Sequence, residues 1–168
     1  MSSPASTEAA TPEQLAAIDE VIEQLRNERG ATLPNLHGIQ NALGFVPAEA
    51  VTRIADALNL SRADVHGVLT YYHDFRQAPP GRHVLKVCRA EACQAMGCDR
   101  LVGRLEKHHG IAMHGTAADG SLTVEPAYCL GNCALSPSAQ LDGRVIGRLT
   151  EARLDALVHA LGGDGAAS

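Results

Sequence analysis

The chain has 168 residues, 45% of them hydrophobic and 20% charged, a balance that suits one globular domain or two small ones and excludes a disordered chain. Lys and Arg total 14 against 19 Asp and Glu, a net charge of −5, which argues against a protein that coats nucleic acid. No apolar run reaches the roughly 18 residues that a spanning helix needs.

The first eleven residues have neither a basic n-region nor an apolar h-region, so no export signal is expected and a cytoplasmic location follows. Persistent disulfides are rare in that reducing compartment, which directs attention to the five cysteines as metal or redox groups. Residues 1–10 and 162–168, rich in Ser, Ala and Gly, are expected to be a flexible N-terminus and tail.

Residues 11–78 read as a helical bundle. Thr11 precedes Pro12, with Gln14 placed to close a capping box, and Leu15, Ile18, Val21, Ile22 and Leu25 recur at helical spacing up to Gly30. A second helix is expected after Pro34, with Leu36, Ile39 and Leu43 on one side and Gly44 as its stop. Pro47 opens a third, carrying Val51, Ile54, Ala55 and Leu58. Ser61 and Asp64 start a fourth, with Val65, Val68, Leu69 and Tyr72 facing inward. The core of four such short helices is modest, so the bundle is expected to lean on another surface.

Composition changes at Pro79-Pro80-Gly81, a turn-prone linker. Residues 1–78 hold ten acids and five bases, residues 79–168 hold nine of each, and every cysteine lies in the second part. Residues 82–161 alternate in the order β-α-β-β-α. A buried strand runs from His83 to Val87 and ends at Cys88. An amphipathic helix over Arg100–His109 stops at Gly110, and a second strand, Leu122–Tyr128, ends at Cys129. Ala139–Leu141, Asp142-Gly143 and Val145-Ile146 spell a hairpin on a type I′ turn. Thr150 caps a last helix carrying Leu154, Leu157, Val158 and Leu161.

The chemistry lies in the loops after the first two strands. Four residues separate Cys88 from Cys93, three separate Cys129 from Cys133, and 35 lie between the pairs. Two curled loops at one sheet edge bring four thiolates together, a set that holds a [2Fe–2S] cluster or a tetrahedral zinc. Zinc prefers a tighter knuckle with two intervening residues, so the wider loops favour the cluster; small buried thiols are the blander alternative. Gly97 and Gly131 beside these cysteines let backbone N–H groups approach sulfur. Cys98, next to Gly97, reads as a packed thiol.

These residues carry a resemblance. Cys88-Arg-Ala-Glu-Ala-Cys93-Gln-Ala-Met-Gly97 followed by Tyr128-Cys129-Leu-Gly-Asn-Cys133-Ala-Leu-Ser-Pro137 resembles the thioredoxin-like [2Fe–2S] ferredoxins, the small iron–sulfur subunits of NADH-oxidising modules. The likeness extends upstream to Leu36–Pro47, Leu60–Val68 and Tyr71–Arg76, covering roughly residues 12–160. It implies an α+β fold in which an N-terminal helical bundle precedes a thioredoxin-like α/β [2Fe–2S] domain. It also implies one cluster held by Cys88, Cys93, Cys129 and Cys133, each pair serving one iron. Within the family, Arg89-Ala-Glu-Ala-Cys93-Gln, Tyr72-His-Asp-Phe-Arg76 and Ala90 in place of a common Thr resemble the gamma subunit of soluble NAD-dependent, molybdenum-containing formate dehydrogenase. The corresponding subunits of respiratory complex I and of NAD-reducing hydrogenase are the alternatives, and a zinc-stabilised interaction domain is the alternative of another class.

The resemblance implies electron transfer beside a flavin- and NAD-binding subunit, and through it exchange with the formate-oxidising molybdenum subunit. FMN, NAD, the molybdenum cofactor and further Fe–S clusters are expected on those partner chains. The sequence has no Gly-x-Gly-x-x-Gly after a strand and no phosphate-binding loop, so NAD is expected to bind elsewhere and the isolated chain is not expected to turn over formate or NADH. The remaining features read more plainly. His108 and His109 suit the negative end of a helix dipole. His66 and His73 lack a Rieske-type Cys-x-His pattern. Tyr71, Tyr72 and Phe75 read as core or interface packing. Arg82, Lys86 and Arg89 are candidates to offset cluster charge or simply to face solvent.

Overall fold

The computed structural model describes residues 9–163, so residues 1–8 and 164–168, which hold most of the expected loose ends, lie outside the described residues; Gly162 and Gly163 belong to the last helix. The chain divides into two compact units, Met1–Pro79 and Pro80–Ser168.

Local capping chemistry starts two of the four helices of the first unit. Helix α1 (Pro12–Leu25) begins at a complete capping box: Gln14 N–H donates to Thr11 Oγ1 at 3.3 Å and Thr11 N–H donates to Gln14 Oε1 at 2.9 Å. Helix α2 (Thr32–Leu43) starts two residues before Pro34 rather than after it. The correction has a simple cause, since amides in a first helical turn have no intrahelical acceptor and Pro34 loses no bond there. The helix stops at Gly44 in the left-handed conformation (φ +83°). Helix α3 (Ala48–Leu58) follows Pro47, and α4 (Arg62–Tyr71) opens at a second capping box made by Ser61 and Asp64.

These helices enclose a core of their own built on Ile18, Leu36, Ile39, Val51, Ile54, Val65, Leu69 and Phe75. Tyr72 does not join it. The helix ends at Tyr71, so the 3.6-residue period no longer sets the direction of Tyr72, whose backbone is extended (φ −91°, ψ 106°). Tyr71 and Tyr72 are 73% and 43% exposed and stack edge to face, while Phe75 is buried.

In the second unit the elements are β1 (His83–Cys88), α5 (Glu91–Ala95), α6 (Cys98–His108), β2 (Leu122–Ala127), a 3-10 turn (Cys133–Leu135), β3 (Ala139–Leu141), β4 (Arg144–Ile146) and α7 (Glu151–Gly163). The sheet order is β2-β1-β3-β4, with β1 parallel to β2 and the other pairs antiparallel. Register places Leu85 opposite both Val124 and Leu141, and Val87 opposite Ala139. These alternate residues share one core with Leu101 and Leu105 of α6 and Leu154 and Leu161 of α7.

Asp142 and Gly143 both have positive φ (45° and 85°), as a type I′ hairpin requires. Asp142 also ties the turn to β1, accepting the Val84 N–H at 2.8 Å and lying 2.7 Å from His83 Nδ1. Helices α6 and α7 are clasped by Arg104, which donates to both carboxylate oxygens of Asp155 at 3.1 and 2.7 Å, and by His109 Nε2 at 2.8 Å from the same carboxylate. Beyond β2, Thr116 bridges to Thr123, their hydroxyls 2.8 Å apart. No helix among the described residues is long and apolar enough to cross a membrane.

Candidate metal centre

Each parallel strand delivers one cysteine pair. Cys88 is the last residue of β1 and Cys93 lies in α5; Cys129 follows β2, and Cys133 begins the 3-10 turn. Because β1 and β2 are parallel neighbours, with Cys88 paired to Ala127, both loops leave the same end of the sheet. The loops meet there: the Leu130 N–H of the second reaches the Cys88 sulfur of the first. Cys93 Sγ lies 3.6 Å from Ser136 Oγ, a contact across 43 residues of sequence.

The thiols associate in twos. Cys88 and Cys93 are hydrogen-bonded neighbours, as are Cys129 and Cys133, while Cys133 also feels the charges of Cys93 and Cys88. Among the described residues no three His, Cys, Asp or Glu side chains converge to hold a single metal ion. Two thiols on each of two loops at one end of the sheet are donors of the type that hold a [2Fe–2S] cluster or a tetrahedral zinc.

The two pairs occupy different environments. Cys88 and Cys93 are 3% and 2% exposed and form an apolar nest with the fully buried Cys98, walled by Ala90 and Leu130. Cys129 and Cys133 are exposed, and all five cysteines are free. Burial pushes the Cys88 thiol up, against the Ala90 N–H that favours its thiolate. Burial acts on Cys93 likewise, but the Ser136 hydroxyl, the Ser138 N–H and the Cys88 thiol outweigh it and leave Cys93 below its ordinary value. The charge of Cys129 raises Cys133, and burial followed by Asp99 raises Cys98.

Backbone N–H groups supply most of the remaining polarity, and Gly131 N–H donates to Cys129 Sγ at 3.4 Å. Cys129 itself holds φ +130°, a region that side chains avoid, and Gly131 has φ +70°. The 3-10 turn is braced from behind. Arg148 N–H donates to Leu135 O at 2.6 Å, and Leu149 N–H donates to Pro137 O at 2.9 Å.

Two of the bases considered as charge offsets are engaged elsewhere. Lys86 lies 3.7 Å from Glu125 and Arg89 Nη2 lies 2.9 Å from Asp99. Ser136 and Ser138 reach the first pair from the second loop, and no local pattern in the sequence signals it. His109 is bound to Asp155 and stacks on His159, away from the cysteines in sequence and in hydrogen bonding. A cavity of about 910 Å³ in the first unit, between the start of α1, α3 and α4, is lined by Phe45, Val46, Val51 and Leu69 and contains no cysteine.

The thioredoxin-like [2Fe–2S] ferredoxin family model matches residues 18–162. A subunit of the NADH-quinone oxidoreductase of Pseudomonas aeruginosa is 34% identical over 127 residues, covering 76% of each chain. The Escherichia coli protein of the same name is 33% identical over 143 residues, covering 85% of this chain and 86% of that one. NADP-reducing hydrogenase subunit HndA of Solidesulfovibrio fructosivorans is 30% identical over 129 residues, 77% of this chain and 75% of the relative. Among solved structures, the NAD+-reducing [NiFe]-hydrogenase in the air-oxidized state aligns with a TM-score of 0.66 and 27% identity over 84% of this chain, which spans only 24% of that larger chain.

Proposed function

This chain belongs to the thioredoxin-like [2Fe–2S] ferredoxin family, which implies one [2Fe–2S] cluster, and we propose that it is the electron-transfer subunit of an NAD-linked oxidoreductase complex with Cys88, Cys93, Cys129 and Cys133 as its ligands. The observation that carries the reading is the arrival of two thiol pairs at one end of the sheet, each pair self-associated and the two within electrostatic reach. When bound, the cluster accepts and releases one electron at a time. The chain's own residues set the conditions. Leu130, Ala90 and Cys98 exclude water from the Cys88–Cys93 side. N–H groups of Ala90, Leu130, Ser138 and Gly131 aim at sulfur, where they favour the more negative state. The exposed Cys129–Cys133 side leaves an approach for a redox partner.

The partner is the flavin- and NAD-binding subunit of the same complex. The host is a soluble, molybdenum-containing NAD-dependent formate dehydrogenase, supported by Ala90, Arg89-Ala-Glu-Ala-Cys93-Gln and Tyr72-His-Asp-Phe-Arg76. The complex works in the cytoplasm, a compartment in keeping with five free cysteines. Complex I is the second reading, favoured by the 34% identity to a subunit of NADH-quinone oxidoreductase. Elemental analysis of the native complex, purified anaerobically with this chain tagged, tests both levels. Iron with molybdenum is expected. Nickel with iron, or iron with neither metal, overturns the formate dehydrogenase host; zinc without iron overturns the electron-transfer reading.

A further inference from the structure

One buried donor in the second unit has no acceptor. Arg89 Nε is shielded from solvent and bonded to nothing among the described residues, where the only other such atom is Asn35 Oδ1 in the first unit. Leaving an N–H buried and unpaired costs about 1–3 kcal/mol, so each such group in a native structure calls for a reason. The rest of Arg89 is firmly held. Its backbone N–H donates to Ala127 O at 2.7 Å and its carbonyl accepts Gln94 Nε2 at 3.0 Å, which fixes the main chain between Cys88 and Ala90. At the other end of the side chain, Nη2 donates to Asp99 Oδ1 at 2.9 Å. The same Asp99 oxygen lies 4.0 Å from Cys98 Sγ, and Cys98 packs with Cys88 and Cys93 in the buried nest. The guanidinium is thereby pinned next to that nest, and its charge reaches Cys98, where it opposes the charge of Asp99.

No carbonyl, carboxylate or thiol among the described residues takes the Nε–H. A thiol sulfur is a weak acceptor, whereas the sulfur of an iron–sulfur centre carries negative charge, and hydrogen bonds to charged acceptors are about twice as strong as neutral ones. The guanidinium stays protonated at any working pH, so Arg89 brings a permanent positive charge together with its donor. We propose that Arg89 is a further donor to the metal centre, its buried Nε–H reserved for a sulfur of the bound cluster while Asp99 fixes the guanidinium from the other side. The proposal rests on the electron-transfer reading above. A donor and a positive charge both favour the more negative, reduced state, so Arg89 raises the reduction potential of the cluster. The side chain of Asp99 is 68% exposed, and water screens its charge, so Asp99 holds the guanidinium in place while cancelling only part of its effect.

Two measurements on the purified, cluster-loaded chain test it. In the first, the chain is grown with arginine carrying heavy nitrogen in the guanidinium alone, reduced by one electron with dithionite, and read by pulsed EPR. A heavy-nitrogen coupling to the reduced centre is expected in the parent chain and is expected to vanish in Arg89→Lys, which keeps the charge but has no Nε–H. A parent chain without the coupling overturns the proposal, and that result needs no variant to fold; a coupling that persists in Arg89→Lys belongs to another arginine and overturns it too. In the second, the midpoint potential is titrated. At the parent's midpoint the ratio of reduced to oxidised protein falls about threefold in Arg89→Lys and about tenfold in Arg89→Gln, tenfold being about 59 mV for a one-electron couple. Lys107→Gln removes a charge in the last turn of α6 and leaves the ratio unchanged. If Arg89→Lys keeps the parent's midpoint, charge alone acts and the donor proposal fails. It also fails if Lys107→Gln matches Arg89→Gln, or if the Arg89 variants lose iron while their loaded fraction keeps the parent's midpoint. A parent chain without iron, or one that dithionite does not bleach, overturns the electron-transfer reading instead.

Discussion

Gly147→Ala places a methyl group 2.6 Å from Leu135 Cβ, 2.7 Å from Asn132 Nδ2 and 3.1 Å from Leu135 O. Two of these three atoms belong to the main chain or first side-chain carbon of the 3-10 turn, so no rotamer change removes the clash. The turn and the 147–149 segment must separate, stretching the bonds from Arg148 N–H to Leu135 O and from Leu149 N–H to Pro137 O. Overpacking costs about 1–3 kcal/mol and each of the two weakened hydrogen bonds up to about 1 kcal/mol, which gives about 1–5 kcal/mol in all, centred near 3 kcal/mol. For a unit of this size the central value lowers Tm by roughly 12–24 °C. Because Cys133 begins the same turn, iron loading falls with it.

Two further glycines calibrate the result. Gly103, in the middle of α6, has nothing within 4 Å of an added Cβ, so Gly103→Ala stabilises by about 0.5–1 kcal/mol. Gly131 is also open but holds φ +70°, so Gly131→Ala costs about 1–2 kcal/mol through backbone strain alone. Urea and thermal unfolding under anaerobic, reducing conditions measure all three, with iron assayed on each. A Gly147→Ala protein within about 0.5 kcal/mol of the parent, a margin typical of innocuous surface changes, and fully iron-loaded would refute the claim that this contact braces the second cysteine loop.

Single replacement of Cys88, Cys93, Cys129 or Cys133 by Ala is expected to abolish the visible absorption and iron content, whereas Cys98→Ala keeps both; loss of colour in Cys98→Ala would make it a ligand. The carboxyl of Asp155 is held well below its ordinary value of 3.8 by the Arg104 guanidinium and by His109. A group depressed in the folded state contributes stability above its unfolded value and loses it as pH falls through the folded one. The urea midpoints of the parent and Asp155→Asn should therefore differ at pH 7 and converge as pH falls below about 4, near the unfolded carboxylate value, and an unchanging gap would contradict this. Ser61→Ala removes the acceptor for Asp64 N–H at 3.1 Å and should cost about 1 kcal/mol in the unfolding of the first unit, with Ser61→Thr, which keeps the hydroxyl, close to neutral.

Much of the architecture could be read from short-range chemistry. Thr11 with Gln14, and Ser61 with Asp64, are interactions across three residues, and Asp142-Gly143 specifies its turn with no help from the rest of the chain. What escaped reading was either too short or too distant. Helix α5 spans five residues and the 3-10 turn three, less than the window in which a period is detectable. The period that points Tyr72 inward ends one residue before it. The pairing of Lys86 with Glu125 depends on the register of β1 against β2, and nothing near Lys86 in the sequence announces it. The two cysteine loops at one end of the sheet could be read from the strands that precede them, but the burial of one pair and exposure of the other could not. That contrast comes from α6 closing Cys98 over Cys88 and Cys93, a packing event outside both loops.

The borders of the sheet limit how another protein can engage this one. Beyond β2 the main chain already meets Thr116, and β4 on the other side is only three residues long, with the charged Arg144 at its start. Neither margin offers a long free ladder, so strand addition by a neighbouring chain has little to build on. Recognition must then come from side chains and loops, which keeps contact specific and keeps identical copies from zipping together edge to edge.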